Sequence, residues 1–169
     1  MIMCFIMRDE EGNKPMPTLY LICGLPGSGK TSMARKIEQE RSALRLSPDE
    51  WMEPLYGANT KNFDPYRSPV EAVQWSVAER VLRLGLDVVL EYGFWSKRER
   101  LEYRLRGENA GASVKLLFLD IPFEELWRRL EARNADLPPG TLPVSRSELE
   151  TWSSWFERPT SEELGGTHA

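Results

Sequence analysis

Residues 24–31 read Gly24-Leu25-Pro26-Gly27-Ser28-Gly29-Lys30-Thr31, and they match the pattern G-x-x-x-x-G-K-[ST] at every defined position. Directly before them, residues 18–23 form an apolar run that is typical of a buried parallel strand. After them, Met33, Ala34 and Ile37 recur at helical spacing. A strand, a glycine-rich loop and a helix in this order predict a phosphate-binding loop, called the P-loop below.

Each residue type in the P-loop has a physical reason. The glycines allow backbone angles that turn successive N–H groups inward, and the following helix adds the positive end of its dipole. Lys30 is expected to reach the β- and γ-phosphates, and the Thr31 hydroxyl is expected to bind Mg²⁺. The sequence therefore predicts a bound nucleoside triphosphate with Mg²⁺. The predicted nucleotide-binding residues are Gly24, Leu25, Pro26, Gly27, Ser28, Gly29, Lys30, Thr31 and Ser32.

Further short apolar runs along the chain alternate with helical patterns. Predicted strands cover residues 18–23, 43–46, 87–91 and 114–119. Predicted helices begin at Lys30, Pro69, Ser96, Pro122 and Arg146, and residues 51–67 are predicted to be rich in loops. This alternation predicts a three-layer α/β fold of the P-loop NTPase type, with a parallel sheet of four to five strands and helices on both faces.

The domain organisation follows from the same pattern. Residues 1–17 are predicted to form an N-terminal extension. Charged residues, Gly12, Pro15 and Pro17 separate the first seven, apolar residues of the chain from the first strand. A single domain is predicted for residues 18–163, followed by a flexible tail at residues 164–169. The 169 residues suit one domain of this kind.

Composition excludes several classes of protein. The net charge of −4 argues against a protein that holds nucleic acid by bulk electrostatics. The two cysteines, Cys4 and Cys23, have no spacing typical of a disulfide framework or a zinc site, and no stretch is long enough to span a membrane. We therefore expect a cytoplasmic protein. The only histidine, His168, lies next to the C-terminus, so acid–base chemistry is expected from carboxylates rather than histidine.

Several motifs together resemble the small P-loop kinases related to the kinase domain of polynucleotide 5′-hydroxyl kinase, zeta toxins and chloramphenicol phosphotransferase. They are ICGLPGSGKT, LSPDEW, VVLEYGFWSKRER, LFLDIPFEELWRRLEARN and WFERPTSEE, and they extend from about Thr18 to Glu163. The resemblance implies ATP as the nucleotide. It also implies a fold like that of nucleoside-monophosphate kinases, with an arginine-bearing lid that closes over the nucleotide.

The resemblance assigns roles to four residues besides Lys30. Asp49, after the second strand, corresponds to the aspartate that accepts the proton of the acceptor hydroxyl; capping of the helix that follows is the alternative. Glu91, which ends the third strand, stands where relatives often carry an aspartate that holds the water shell of the metal or the acceptor; pairing with an arginine at the sheet edge is the alternative. Arg133, and secondarily Arg129, are the predicted lid arginines, although a solvated helix face also explains them.

The expected function is transfer of the γ-phosphoryl group of ATP to a hydroxyl group of a small molecule, with Lys30, Asp49, Arg133 and Arg129 as catalytic residues and Thr31 and Glu91 at the metal. Two alternatives stay open. One is a polynucleotide 5′-hydroxyl kinase, which the net charge disfavours, as does Met52 in place of an arginine that the nucleic-acid enzyme uses. The other is a regulatory or toxin-like ATPase with slow hydrolysis. The acceptor itself is not identified by the sequence.

Overall fold

The computed structural model describes residues 16–57, 64–137 and 142–165 of the chain. The N-terminal extension and the tail predicted above lie almost entirely outside these ranges, so both remain predictions. The elements are β1 (Thr18–Cys23), α1 (Lys30–Arg41), β2 (Leu44–Leu46), α2 (Pro48–Tyr56), α3 (Asp64–Arg83), β3 (Val88–Gly93), α4 (Lys97–Asn109), β4 (Ser113–Phe118), α5 (Phe123–Ala135) and α6 (Arg146–Trp155).

The four strands form one parallel sheet in the order β2-β3-β1-β4. This confirms the predicted α/β class, with four strands found in the described part of the chain. The sheet is buried on both sides because alternate residues of β1 pack against different helices. Tyr20 and Ile22 pack with Ala34 and Ile37 of α1, whereas the opposite face carries a larger cluster. That cluster joins β1 and β3 to α3 and α4 through Leu19, Leu21, Val88, Leu90, Ala78, Leu82 and Tyr103.

The prediction of a loop-rich segment is wrong for residues 51–56 and 64–67, whereas residues 58–63 lie outside the described ranges. Helix α2 begins at Pro48 and continues through Pro54, and α3 begins at Asp64, five residues before the predicted start at Pro69. Pro54 and Pro69 lie inside these helices, where proline removes a backbone hydrogen bond, and burial of one helix face offsets that loss. The buried face of α3 consists of Val70, Gln74, Ala78 and Leu82. Tertiary packing thus outweighs the local proline signals.

A third apolar cluster joins the P-loop to the last two helices. Leu25 packs with Leu126 and Leu130 of α5 and with Leu149 of α6. Helix α6 starts with a full capping box between Ser145 and Glu148, which stabilises its first turn. No helix within the described ranges combines the length and apolar character needed to cross a membrane.

Candidate nucleotide and phosphoryl-transfer site

The P-loop lies between the end of β1 and the start of α1. The Gly24 amide donates to the carbonyl of Gly93, 3.0 Å away, and this bond anchors the loop to the end of β3. Gly27 and Gly29 have φ angles of 81° and 96°, in the left-handed region that favours glycine. Gly29 is the N-cap of α1 and no side chain caps this helix. The first N–H groups of α1 therefore remain available to an anion.

Two buried polar atoms beside the P-loop have no hydrogen-bond partner in the described part of the chain, the Ser28 Oγ and the Arg133 Nε. Burial lowers the pKa of Arg133, and the negative charge of Asp49 opposes this effect. Buried polar groups are normally paired, so a ligand that offers hydrogen-bond acceptors would stabilise both groups. Phosphate oxygens would satisfy both atoms, and the site therefore fits the triphosphate that the motif predicts.

Lys30 lies within the same group of charges. Its ammonium donates to the Leu25 carbonyl at 3.0 Å, inside the P-loop itself. Burial lowers the pKa of Lys30 to about 8, while the charges of Glu91 and Asp49 oppose this shift. The negative charge of a bound phosphate next to Lys30 would favour the protonated form of its ammonium group.

Glu91 is nearly buried at the end of β3, with 7% of its side chain exposed. Its Oε1 accepts a hydrogen bond from the Thr31 hydroxyl, and its Oε2 lies 3.0 Å from Nη1 of Arg45. Both roles proposed for Glu91 are thus compatible with its position, because it pairs with an arginine and also reaches Thr31. In the described residues no group of three or more His, Cys, Asp and Glu side chains could hold a metal by itself. A magnesium ion here would need phosphate oxygens and water as further ligands, as Mg²⁺ usually does.

Asp49 lies in the first turn of α2, and 77% of its side chain is exposed. It forms an ion pair with Arg67 of α3 at 3.0 Å. Its charge raises the pKa of both Lys30 and Arg133, so the three side chains lie in one region of the molecule. They do so although they lie in three different parts of the sequence.

Arg129 has a different environment from Arg133. Its guanidinium lies 2.7 Å from Glu125 of the same helix, and Arg128 pairs with the same carboxylate. Hydrogen bonds from Arg128 and Arg129 lower the pKa of Glu125 to about 2. These ion pairs on an exposed helix surface fit the alternative interpretation of Arg129 as part of a solvated helix face. Arg129 thus differs from Arg133, whose Nε has no hydrogen-bond partner among the described residues.

Buried side chains and hydrogen bonds also hold the loop after β3 in place. Phe94 has a φ of 49°, which is rare for a non-glycine residue, and its side chain is fully buried. Its carbonyl accepts from Arg100, which is 2% exposed and pairs with Glu163 at 2.7 Å. Next to it, the Trp95 indole donates to the Gly24 carbonyl at 3.3 Å. The segment around Glu163 therefore braces the loop that contacts the P-loop.

Sequence reasoning missed Arg45 and Arg67. Arg45 is the only charged residue of the predicted second strand, and a charge in a short apolar strand could have indicated a buried partner. Arg67 lies in the segment that the sequence predicts to be loop, and the helical spacing between Arg67 and Glu71 predicts an ion pair only if that segment is a helix. Two pairs of aromatic side chains differ in burial: Tyr92 and Phe94 belong to the core, whereas Tyr56 and Tyr66 stack on each other at 4.1 Å and are partly exposed.

A cavity of about 430 Å³ adjoins the P-loop on the side of β4. Its walls include Leu25, Phe118, Phe123 and Phe156, and Asp120 and Arg158 form an ion pair among them. The expected phosphate-site residues Lys30, Asp49 and Arg133 do not contribute to its lining. The cavity therefore meets the predicted nucleotide-binding residues at Leu25 but does not include the predicted catalytic side chains.

A family model described as an AAA domain matches residues 19–159. Among solved structures, Chaetomium thermophilum Kti12 in complex with ADP-AlF3 is 22% identical, with a TM-score of 0.66 over 85% of this chain and 82% of that chain. A gluconokinase from Sinorhizobium meliloti 1021 is 18% identical, with a TM-score of 0.59 over 89% of this chain and 81% of that one.

A chain of the Pnkp1/Rnl/Hen1 RNA repair complex is 20% identical, with a TM-score of 0.67. The match covers 86% of this chain but only 46% of that chain. A search of curated proteins finds no match. Together the family and structural matches confirm the predicted P-loop fold and the resemblance to small P-loop kinases and ATPases.

Proposed function

Since this chain belongs to the AAA domain family over residues 19–159, we propose that it is an ATP-dependent kinase that phosphorylates a hydroxyl group of a small molecule. The observation that carries this proposal is the position of Asp49. The exposed carboxylate of Asp49 lies near enough to raise the pKa of both Lys30 of the P-loop and Arg133, whose Nε is buried without a hydrogen-bond partner among the described residues. A site that only binds a nucleotide does not require a carboxylate that can accept the proton of an acceptor hydroxyl.

In the proposed reaction the acceptor oxygen forms a bond to the γ-phosphorus of ATP. The bond between the γ-phosphorus and the oxygen that bridges it to the β-phosphate breaks, and ADP leaves. The proton of the acceptor hydroxyl passes to Asp49. Lys30 and Arg133 neutralise the charge on the transferring group, and their N–H groups donate hydrogen bonds to its oxygens.

The oxygen donors Thr31 and Glu91 fit a magnesium ion, since Mg²⁺ prefers hydroxyl, carboxylate and phosphate oxygens. Bound there, the ion would supply positive charge beside the β- and γ-phosphates. The role of Glu91 in this arrangement is to hold the Thr31 hydroxyl in place, and Arg45 in turn holds Glu91.

The charges around Asp49 favour a small molecule over a polynucleotide end. Arg67 is surrounded by carboxylates, because it pairs with Glu71 at 2.9 Å as well as with Asp49. These two carboxylates balance the charge of Arg67, so this arginine is not free to bind a phosphate of a polynucleotide backbone. Met52, at the position where the nucleic-acid enzyme uses an arginine, is 3% exposed and so is buried in packing.

A regulatory ATPase is the second candidate. The Kti12 structure, with the same fold, was solved in complex with ADP-AlF3. In this chain Asp49 is held in an ion pair with Arg67, and this arrangement is also compatible with a site that binds ATP without transferring a proton to Asp49.

The test uses the full chain, γ-labelled ATP and Mg²⁺, with three groups of acceptors: hydroxylated metabolites and antibiotics, RNA oligomers with 5′-hydroxyl ends, and water alone. The proposal predicts labelled product from one small molecule, and a loss of transfer by a factor of about 100 or more in Asp49→Asn while ATP binding persists. Asp136→Asn is the control, since Asp136 is an exposed C-cap residue of α5. Labelled RNA would replace the proposal by the polynucleotide kinase, and ADP release at equal rates with and without every acceptor would replace it by the ATPase.

A further inference from the structure

Arg45 lies in the middle of β2, at the edge of the sheet. Its register partner on β3 is Val89, so Arg45 shares a sheet face with Val89 and with Glu91 two residues further on. This is the face covered by α1, where Val89 packs in the apolar cluster. Only 9% of the Arg45 side chain is exposed. A buried guanidinium is costly unless carboxylates surround it, so its partners determine what it does.

The Arg45 guanidinium contacts carboxylates from three different elements. Its Nε lies 3.1 Å from Glu38 of α1, and its Nη2 lies 2.7 Å from Glu50 of α2. Its Nη1 lies 3.0 Å from Glu91 of β3. Burial alone would lower the pKa of Arg45, but the hydrogen bonds to Glu50 and Glu38 raise it above its ordinary value. The guanidinium therefore stays charged and joins the helix after the P-loop, the helix that carries Asp49 and the strand that carries Glu91.

Glu91 divides its two oxygens between Arg45 and the P-loop. One oxygen binds Arg45, and the other accepts the hydroxyl of Thr31. With 7% of its side chain exposed, Glu91 has little access to water that could stabilise its charge. Arg45 supplies that stabilisation, and it also fixes the rotamer that directs the second oxygen to Thr31. Glu38 and Glu50 do not contact Thr31, so Arg45 reaches the P-loop through Glu91.

We propose that Arg45 is a positioning residue for the magnesium–nucleotide complex: it holds Glu91 by one oxygen and so aims the other oxygen at Thr31 and at the ion bound there. This inference rests on the proposed function only in that it assumes a magnesium–nucleotide ligand, and no acceptor takes part in it. In metal sites, groups that orient a ligand in this way change metal affinity by about 10- to 100-fold when they are replaced.

The test measures binding of a fluorescent ATP analogue to the full chain, with excess Mg²⁺ and with EDTA. The ratio of the two affinities gives the gain that Mg²⁺ provides. Arg45→Met is expected to reduce this gain about tenfold or more, whereas affinity in EDTA changes little. Arg83→Met is the matched control, because Arg83 forms an exposed ion pair with Glu79 on α3, away from the P-loop. Thermal melting of each variant establishes that it is folded.

Three further variants separate positioning from a merely structural role. Arg45→Lys keeps the charge but not the planar group that reaches three carboxylates, so it should lose part of the gain and fold even where Arg45→Met does not. Glu38→Gln removes another partner of the same guanidinium, and it should leave the gain unchanged. In the double variant Arg45→Met/Glu91→Gln the gain should be no smaller than in Glu91→Gln alone, because Arg45 acts through Glu91.

The inference is overturned if folded Arg45→Met and Arg45→Lys retain the full gain, if Glu38→Gln reduces the gain as much as they do, or if the effects of the two changes in the double variant add. It is also overturned if the wild-type affinity does not depend on Mg²⁺. Failure of the kinase proposal has a different signature, since it would appear as missing phosphoryl transfer while the magnesium-dependent binding of the analogue stays intact.

Discussion

The guanidinium of Arg67 on α3 lies 3.0 Å from the carboxylate of Asp49 on α2. The same side chain donates to the Tyr92 carbonyl at the end of β3, at 3.0 Å, and pairs with Glu71 at 2.9 Å. Asp49 itself is mostly exposed, so its orientation depends on this half-buried arginine. Helix α3 thus fixes the proposed base relative to the sheet edge.

Arg67→Met is therefore expected to reduce phosphoryl transfer roughly 10- to 100-fold, because Asp49 loses the contact that orients it. Steady-state kinetics with the acceptor that the labelled-ATP assay identifies provides the measurement. Arg83→Met is the matched control, since Arg83 also lies on α3 and pairs with a glutamate four residues away. Equal effects of the two replacements would mean that Arg67 contributes only to helix stability.

Replacement of the two lid arginines should give unequal results. Arg133→Met is expected to reduce transfer by about 100-fold or more, since its unpaired buried group is the one available to the transferring phosphoryl. Arg129→Met should reduce it less than about threefold, because Arg129 already pairs with Glu125 at the surface. Single-turnover rates at saturating ATP distinguish the two. Comparable losses of transfer in the two variants would show that α5 moves enough for Arg129 also to reach the transferring phosphoryl group.

The low pKa of Lys30 has a consequence for stability. Burial lowers it to about 8, so between pH 8 and 10.5 the unfolded chain binds a proton at Lys30 that the folded chain lacks. Below pH 8 this buried charge destabilises the nucleotide-free protein. Lys30→Met should therefore stabilise that protein at pH 7 by on the order of 2 kcal/mol, and the difference should shrink as the pH rises from 8 to 10.5.

Urea unfolding of the nucleotide-free protein at several pH values measures this difference. Lys36→Met serves as the control, because 66% of the Lys36 side chain is exposed and its replacement should give a small difference that does not vary with pH. Equal destabilisation by Lys30→Met at every pH would contradict the prediction, because it would show that burial does not lower the pKa of Lys30. The same replacement should abolish most of the affinity for ATP.

Gly27 offers a test of the contact between the P-loop and α5. Its φ is 81°, and a Cβ there would lie 3.0 Å from Leu130 Cγ and 3.1 Å from the Leu126 carbonyl oxygen. Gly27→Ala should destabilise the protein by about 2–4 kcal/mol, from backbone strain and overpacking together. Gly111→Ala, at a φ of 82° with no atom within 4 Å, should show only the strain, about 1–2 kcal/mol. Similar free energies of unfolding for the two variants would exclude a contribution from the contact.

Much of the fold could be predicted because its signals are local. The apolar run of β1, the P-loop glycines and the helical spacing of Ala34 and Ile37 lie in consecutive residues, and each constrains its neighbours directly. The helices α2 and α3 could not be predicted in the same way. Their proline residues are local signals for a break, whereas the burial of Gln74 and Ala78 that stabilises α3 depends on strands distant in sequence.

The sequence by itself determined that this protein has a P-loop in an α/β sheet, because the motif and its flanking elements are contiguous and their geometry follows from backbone sterics. It also identified Asp49, Glu91 and Arg133 as candidates, since each follows a recognisable motif. Only the tertiary structure decided their partners. Arg45 reaches Glu91, and Arg67 reaches Asp49, through side chains that cross between elements. Such contacts depend on how helices pack on the sheet, and sequence spacing does not encode that packing.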